Sequence, residues 1–208
     1  MPSETKVKRI FLVGFRTTGK TTIGKLLAQK LNWSFWDCDF LITQESGQNI
    51  ESLTKKGTDW TAFRKLENET LEEVSKLDNA VISCGGGVGV NDVLSQDSKT
   101  TFGELNRNIL SSATDSLIIL LTSDTSKIRQ RLKRQYKNNK LMPFLITDNA
   151  KKMETEKDKN ILIEKLIDDS IATYEKRKDL YDLLTKVKIN TDSQSLEKTL
   201  EEILKYVR

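Results

Sequence analysis

The sequence of 208 residues contains no histidine. Any proton transfer it performs must fall to carboxylates, lysine, tyrosine or cysteine, and the commonest metal-binding side chain is missing. Cysteine is scarce too: Cys38 and Cys84 are the only two, too few and too isolated for a zinc site. Each lies in or beside a strand-like run, which reads as a free thiol in a reducing compartment. No apolar run is long enough to span a bilayer, and Met1–Lys8 is polar, without the pattern of a secretory leader. The expectation is a cytoplasmic protein, or the mature form of an organellar one. A marked excess of charge is also lacking. Lys and Arg total 34 against 30 Asp and Glu, interspersed, for a net charge of +4. That imbalance is too small to argue for nucleic acid and suits small anionic ligands.

What the chain does contain is Gly14-Phe15-Arg16-Thr17-Thr18-Gly19-Lys20-Thr21, the spacing of a phosphate-cradling loop. Ile10–Val13 ahead of it reads as a buried strand. Ile23, Leu26, Leu27 and Leu31 behind it recur at helical spacing. Glycine at positions 14 and 19 lets the loop curl until its backbone N–H groups point inward, towards phosphate oxygens. Lys20 then reaches the β- and γ-phosphates, and the Thr21 hydroxyl serves Mg²⁺. The competing reading is a glycine turn before an ordinary amphipathic helix.

Further strands are expected at Ser34–Asp37, Ala80–Ser83, Leu117–Leu121 and Val187–Asn190. Helices are expected at Phe40–Glu45, Ile50–Lys56, Thr61–Lys76, Asn106–Leu110, Thr125–Tyr136, Asn160–Leu184 and Leu196–Val207. Strands alternating with helices argue for a parallel sheet covered on both faces, in a single domain spanning 1–208. Asp37 and Asp39 fall where a strand ends, at the edge that faces the ligand crevice of such a sheet. They suit a metal and a substrate hydroxyl; alternatively Asp39 is an N-cap. Arg64 and Glu67 share a helix face and can pair. Gly85, Gly86 and Gly87 follow a strand, either admitting a ligand to the backbone or forming a loose turn. Val90–Leu105 reads as a polar surface loop. The Lys- and Asn-rich segment 137–159 reads as a lid or an inert loop.

Taken together, the loop Gly14–Thr21, Asp37-Cys38-Asp39, Phe63-Arg64-Lys65-Leu66-Glu67, Gly85-Gly86-Gly87, Asn106-Arg107 and Arg177 in Arg177-Lys178-Asp179-Leu180-Tyr181 resemble shikimate kinase, within the nucleoside-monophosphate-kinase-like group of phosphate-loop proteins. The resemblance runs from Arg9 to Val207. It implies a five-stranded parallel sheet, a substrate-binding helical region at about 39–76 and a mobile lid at about 137–159. It also implies phosphoryl transfer from MgATP to the 3-hydroxyl of shikimate, in aromatic amino-acid biosynthesis. On this resemblance Gly14, Thr17, Thr18, Gly19, Lys20, Thr21, Thr22 and Arg134 bind ATP. Thr21 and Asp37 serve Mg²⁺. Asp39, Lys20 and Asp37 are catalytic, with Asp39 orienting or deprotonating the attacking hydroxyl. Arg64 and Arg177 clamp the carboxylate, and Gly85, Gly86 and Gly87 line the pocket. The expected partners are the small molecules ATP and shikimate, for a monomer that engages neither nucleic acid nor membrane.

The lid departs from the family pattern. An Arg-Pro pair is usual there; this chain has Met142-Pro143, and methionine makes no charge-assisted hydrogen bond. Lys140 or Arg16 are the candidate replacements. Two alternatives stand beside the main reading: a kinase of another small hydroxy acid or polyol such as gluconate, and a weakly active relative that binds its ligands for another purpose. Arg131 or Arg134 and the backbone near Asn190–Asp192 are the expected surroundings of the adenine.

Overall fold

The computed structural model describes residues 7–90, 92–95, 99–137 and 156–207. In chain order the elements are β1 (Arg9–Val13), α1 (Lys20–Leu31), β2 (Ser34–Asp37), α2 (Cys38–Ser46), α3 (Ile50–Leu53), α4 (Thr61–Val74), β3 (Ala80–Ser83), α5 (Phe102–Ser112), β4 (Ser116–Thr122), α6 (Thr125–Lys137), α7 (Glu156–Asp182), β5 (Lys188–Asn190) and α8 (Leu196–Leu204). The five strands form one sheet in the order β2-β3-β1-β4-β5, and every pairing is parallel. The doubly covered parallel sheet expected from the sequence is therefore present.

β1 lies at the centre, and its residues Ile10, Phe11, Leu12 and Val13 are completely buried. Side chains of a strand alternate between faces. Phe11 and Val13 pack with Leu71, Ile128, Leu132 and Ile167, from α4, α6 and α7. Ile10 and Leu12 pack with Ile23, Leu27, Leu200 and Ile203, from α1 and α8. At roughly 1.5–3 kcal/mol for each fully buried side chain, these four contribute about 6–12 kcal/mol as an upper bound. The loop that follows Val13 is thus anchored in the fully buried centre of the sheet. A third, smaller cluster of Ile42, Leu53 and Phe63 joins α2, α3 and α4 into a helical lobe beside the carboxyl edge of the sheet.

Asn32 ends α1, as the sequence leads one to expect, in the left-handed conformation, where its N–H closes on Ala28 and Gln29, as asparagine tolerates. Other boundaries differ from the sequence reading. α2 begins at Cys38, not Phe40, and its N-cap is Asp37, which accepts from the Phe40 N–H. Asp39 is therefore not the cap; it lies inside the first turn. α5 begins at Phe102, so the polar loop expected up to Leu105 is shorter. A capping box sets this start, with Thr101 and Glu104 each satisfying the other's backbone N–H. Of the proposed lid, Lys137 is the last residue of α6 and Glu156–Lys159 belong to α7. The remainder, with Lys140, Met142 and Pro143, lies outside the described residues.

Candidate active site

The carboxyl ends of β1, β2 and β3 converge on a cavity of 660 Å³. In a sheet of this topology the crevice lies where β1 has neighbours leading in opposite directions. Gly14 turns the chain out of β1 at φ 135°, and a Cβ there would meet the Leu121 carbonyl oxygen at 2.4 Å; only glycine fits. The loop folds on itself: the Thr18 hydroxyl donates to the Phe15 carbonyl at 2.8 Å. Lys20 donates to the Gly14 and Phe15 carbonyls at 2.8 and 2.9 Å. Burial lowers the Lys20 pKa, while Asp39 opposes that shift. Thr17 stands at φ 67°, and its hydroxyl is buried with no partner among the described residues. Thr21 and Thr22 are exposed at the mouth.

Facing the loop, the Thr21 hydroxyl donates to Asp37 at 2.9 Å. These are hard oxygen donors, of the kind magnesium accepts. Groups of three or more Cys, Asp and Glu able to cage a metal are absent among the described residues. The pair therefore suits an ion brought in with phosphate oxygens, not one held by the protein alone. Asp39, two residues further on in the first turn of α2, lies deeper. Burial first, then the charges of Glu67 and Asp37, push its pKa up to about 6, while Lys20 and Arg64 pull it down. Its Oδ1 and Glu67 Oε1 flank Gly85 so closely that a Cβ there would lie 3.0 and 2.3 Å from them.

Arg64 is 2% exposed and paired with Glu67, 1% exposed, at 2.6 Å. The solvated helix salt bridge that is usual for such a pair does not describe it. Burial works against the Arg64 charge, but Glu67 and Asp92 overcome it and hold the pKa above its ordinary value. Arg64 also stacks over Trp60, 5.1 Å from the ring centre. From the far side α7 brings Arg177, whose Nη1 donates to the Gly86 carbonyl at 3.2 Å. Tyr181 donates to the same oxygen at 2.6 Å. Arg16 also lines the cavity. Burial lowers its pKa, and the charge of Arg177 adds to that effect.

The structure thus brings Lys20, Thr21, Asp37, Asp39, Arg64, Gly86, Gly87 and Arg177 to one cavity. Gly85 lies directly behind, against Asp39 and Glu67. Arg134 lies at the cavity rim. Arg131 lines the cavity as well; it donates to the Thr17 carbonyl at 3.0 Å and pairs with Asp192 at 2.6 Å, tying α6 and the end of β5 to the phosphate loop.

Sequence reasoning missed four contributors. Asn106, fully buried, donates to the Val88 carbonyl at 2.8 Å, and Arg107 donates to that of Gly89 at 2.6 Å. Both fix the glycine loop, and the motif Asn106-Arg107 signals their presence but not this role. The motif that holds Arg177 likewise contains Tyr181 without marking its bond to Gly86. Asp92, which carried no motif signal, is bidentate on Arg64.

A shikimate kinase family model matches residues 16–208. The shikimate kinase of Sulfurihydrogenibium sp. is 32% identical over 203 residues, 97% of this chain and 99% of that one. The shikimate kinase structure from Bacteroides thetaiotaomicron is 26% identical, with a TM-score of 0.69 over 96% of this chain and 98% of that one. A shikimate kinase from Acinetobacter baumannii, solved in complex with shikimate, shares the fold at a TM-score of 0.66 and 22% identity, over 97% and 93% of the two chains.

Proposed function

The chain belongs to the shikimate kinase family, and we propose that it transfers the γ-phosphoryl group of ATP to the 3-hydroxyl of shikimate. The observation that carries the reading is the enclosure of Asp39, Arg64 and Arg177 with the phosphate-loop lysine in one cavity. A small acid bearing hydroxyl groups meets there a carboxylate for its hydroxyl and cations for its carboxylate.

The roles follow from the chemistry. Lys20, now on loop carbonyls, exchanges those neutral acceptors for the stronger charged ones of the phosphates. Gly14, Thr17, Gly19 and Thr22 border them, with Thr18 shaping the loop through its inward hydroxyl. Arg134 flanks the adenine end. Thr21 and Asp37 hold Mg²⁺, which supplies neutralisation of phosphate charge when bound. Asp39 accepts the proton of the attacking hydroxyl; with its pKa at about 6 it is ionised at neutral pH and more basic than an ordinary carboxylate. Arg64 and Arg177 hold the substrate carboxylate, and Gly85, Gly86 and Gly87 let it approach the backbone. We read residues 1–208 as one domain with the lobe at about 39–76 as its substrate region, acting as a monomer on small molecules. The two buried free thiols fit a cytoplasmic setting.

Gluconate, the competing acid, is the control. ADP release from MgATP should depend on shikimate and saturate with it, and gluconate at the same concentration should give none. Turnover indifferent to shikimate would remove the assignment.

A further inference from the structure

Arg64 carries two carboxylates, and only one comes from its own helix. Glu67, one turn along α4, accepts from Nη1. Asp92 arrives from the segment after the triple glycine. Two successive turns bring it back, with the Val88 N–H on the Gly85 carbonyl and the Val90 N–H on that of Gly87. Asp92 then accepts from Arg64 Nε at 3.0 and 3.2 Å and from Nη2 at 2.9 Å. This is the side-on, two-point seat that any free carboxylate takes on a guanidinium.

The two acids differ in exposure. Glu67 is 1% exposed and Asp92 29%. Withdrawing Glu67 would strand a buried charge; Asp92 sits at the water's edge and its departure strands little. With both in place, the trio holds one negative charge in excess. An incoming acid is therefore repelled until it takes Asp92's position, and a neutral hydroxyl compound gains nothing from Arg64 at all.

We propose that Asp92 occupies the seat on Arg64 that the substrate's carboxylate takes, so that Asp92 is a specificity-determining residue displaced by acidic substrate. The proposal rests on the reading of Arg64 as a carboxylate clamp. Once the substrate is seated, Glu67 still orients the guanidinium and Asp92 faces solvent.

The test is calorimetric binding of shikimate and of its neutral carboxamide, with KM for ATP and the thermal melt as checks on the fold. Asp92→Asn should bind shikimate about fivefold more tightly, the scale of a partly exposed ion pair. Its affinity for the carboxamide and its KM for ATP should not move. Weaker or unchanged shikimate binding in Asp92→Asn overturns the proposal and makes Asp92 a strut that positions Arg64. Should Asp92→Asn lose its cooperative melt, Asp92→Ser carries the same comparison. Arg64→Ala separates the two layers of inference. If it binds shikimate as the unaltered protein does, the clamp reading itself fails; if it loses binding while Asp92→Asn gains none, only the displacement fails.

Discussion

Two buried arginines stand at opposite ends of the sheet. Arg9, at the amino end of β1, is 9% exposed in its side chain and pairs with Asp78 at 3.2 Å and Asp115 at 3.0 Å. It also donates to the Leu77 carbonyl at 2.6 Å. Arg64, at the carboxyl end, likewise meets two carboxylates. The pairing chemistry is the same and the surroundings are not. Arg9 is closed in by a backbone carbonyl and by residues from the segments leading into β3 and β4, so it ties three strands together. Arg64 lies against Gly87, where even a Cβ would come within 2.4 Å of its Nη2, and opens on the cavity that holds Asp39. A buried, doubly paired arginine is thus sealed off where side chains and carbonyls close over it, and borders a cavity where glycine leaves its neighbourhood bare.

The sharpest way to exploit that contrast is to disable the cavity without touching its arginine. Asp39→Asn should lower kcat by about 10²–10⁴-fold, the usual worth of a positioned base. It should also melt higher. In the folded protein the Asp39 proton is held to about pH 6, against roughly 4 when unfolded. The folded state therefore binds more protons between those values, and stability falls as pH rises through that window. Removing the charge at pH 7 should raise Tm by roughly 2–4 °C, on the order of 1 kcal/mol. A variant that loses turnover and melts lower would contradict this account.

The paired substitutions Arg64→Ala and Arg9→Ala test the comparison itself. Arg64→Ala should raise KM for shikimate by about 10–100-fold, for charged hydrogen bonds of about 1.5–3 kcal/mol. Arg9→Ala should leave that KM alone and lose about 1–2 kcal/mol of stability in denaturant unfolding, discounted because Asp78 is half exposed. If both variants shifted KM equally, the two ends of the sheet would not be distinct. The smallest effect lies in the pH profile. For the unaltered protein kcat/KM should rise through a limb near pH 6. In Glu67→Gln that limb should move to lower pH, because the Glu67 charge is second only to burial among the causes that raise the Asp39 pKa. An unmoved limb would leave burial and the Asp37 charge responsible.

Much of the site was legible because its signals are local. The phosphate loop announces itself by spacing, and Asp37, Asp39 and Gly85–Gly87 follow from lying just beyond strand ends. What was not legible depends on register or distance. Whether Asp37 or Asp39 caps α2 turns on a helix start two residues earlier than the apolar pattern suggests. α5 was cut short because fully buried Asn106 interrupts its apolar face, although Thr101 and Glu104 carried the signal for its beginning. Asp92 reaches Arg64 across 28 residues through turns with no periodicity, and nothing in a single sequence marks such a contact. Arg131 is expected from the sequence only as one of two candidates for the surroundings of the adenine. Its commitment to Thr17 and Asp192 depends on how α6 meets the phosphate loop, a matter of tertiary packing.

The Gly86 carbonyl has one more lesson, about order of assembly. It receives Arg177 and Tyr181 from 91 and 95 residues further along the chain, and the Thr17 carbonyl receives Arg131 from 114 residues away. Closing loops of that length is the slow, entropically costly part of folding. Local helices and the first strand pairs can form while these carbonyls still face water. The cavity comes into being only when the last long-range closures are made, so catalytic competence in this chain is a property of the finished topology and not of any fragment of it.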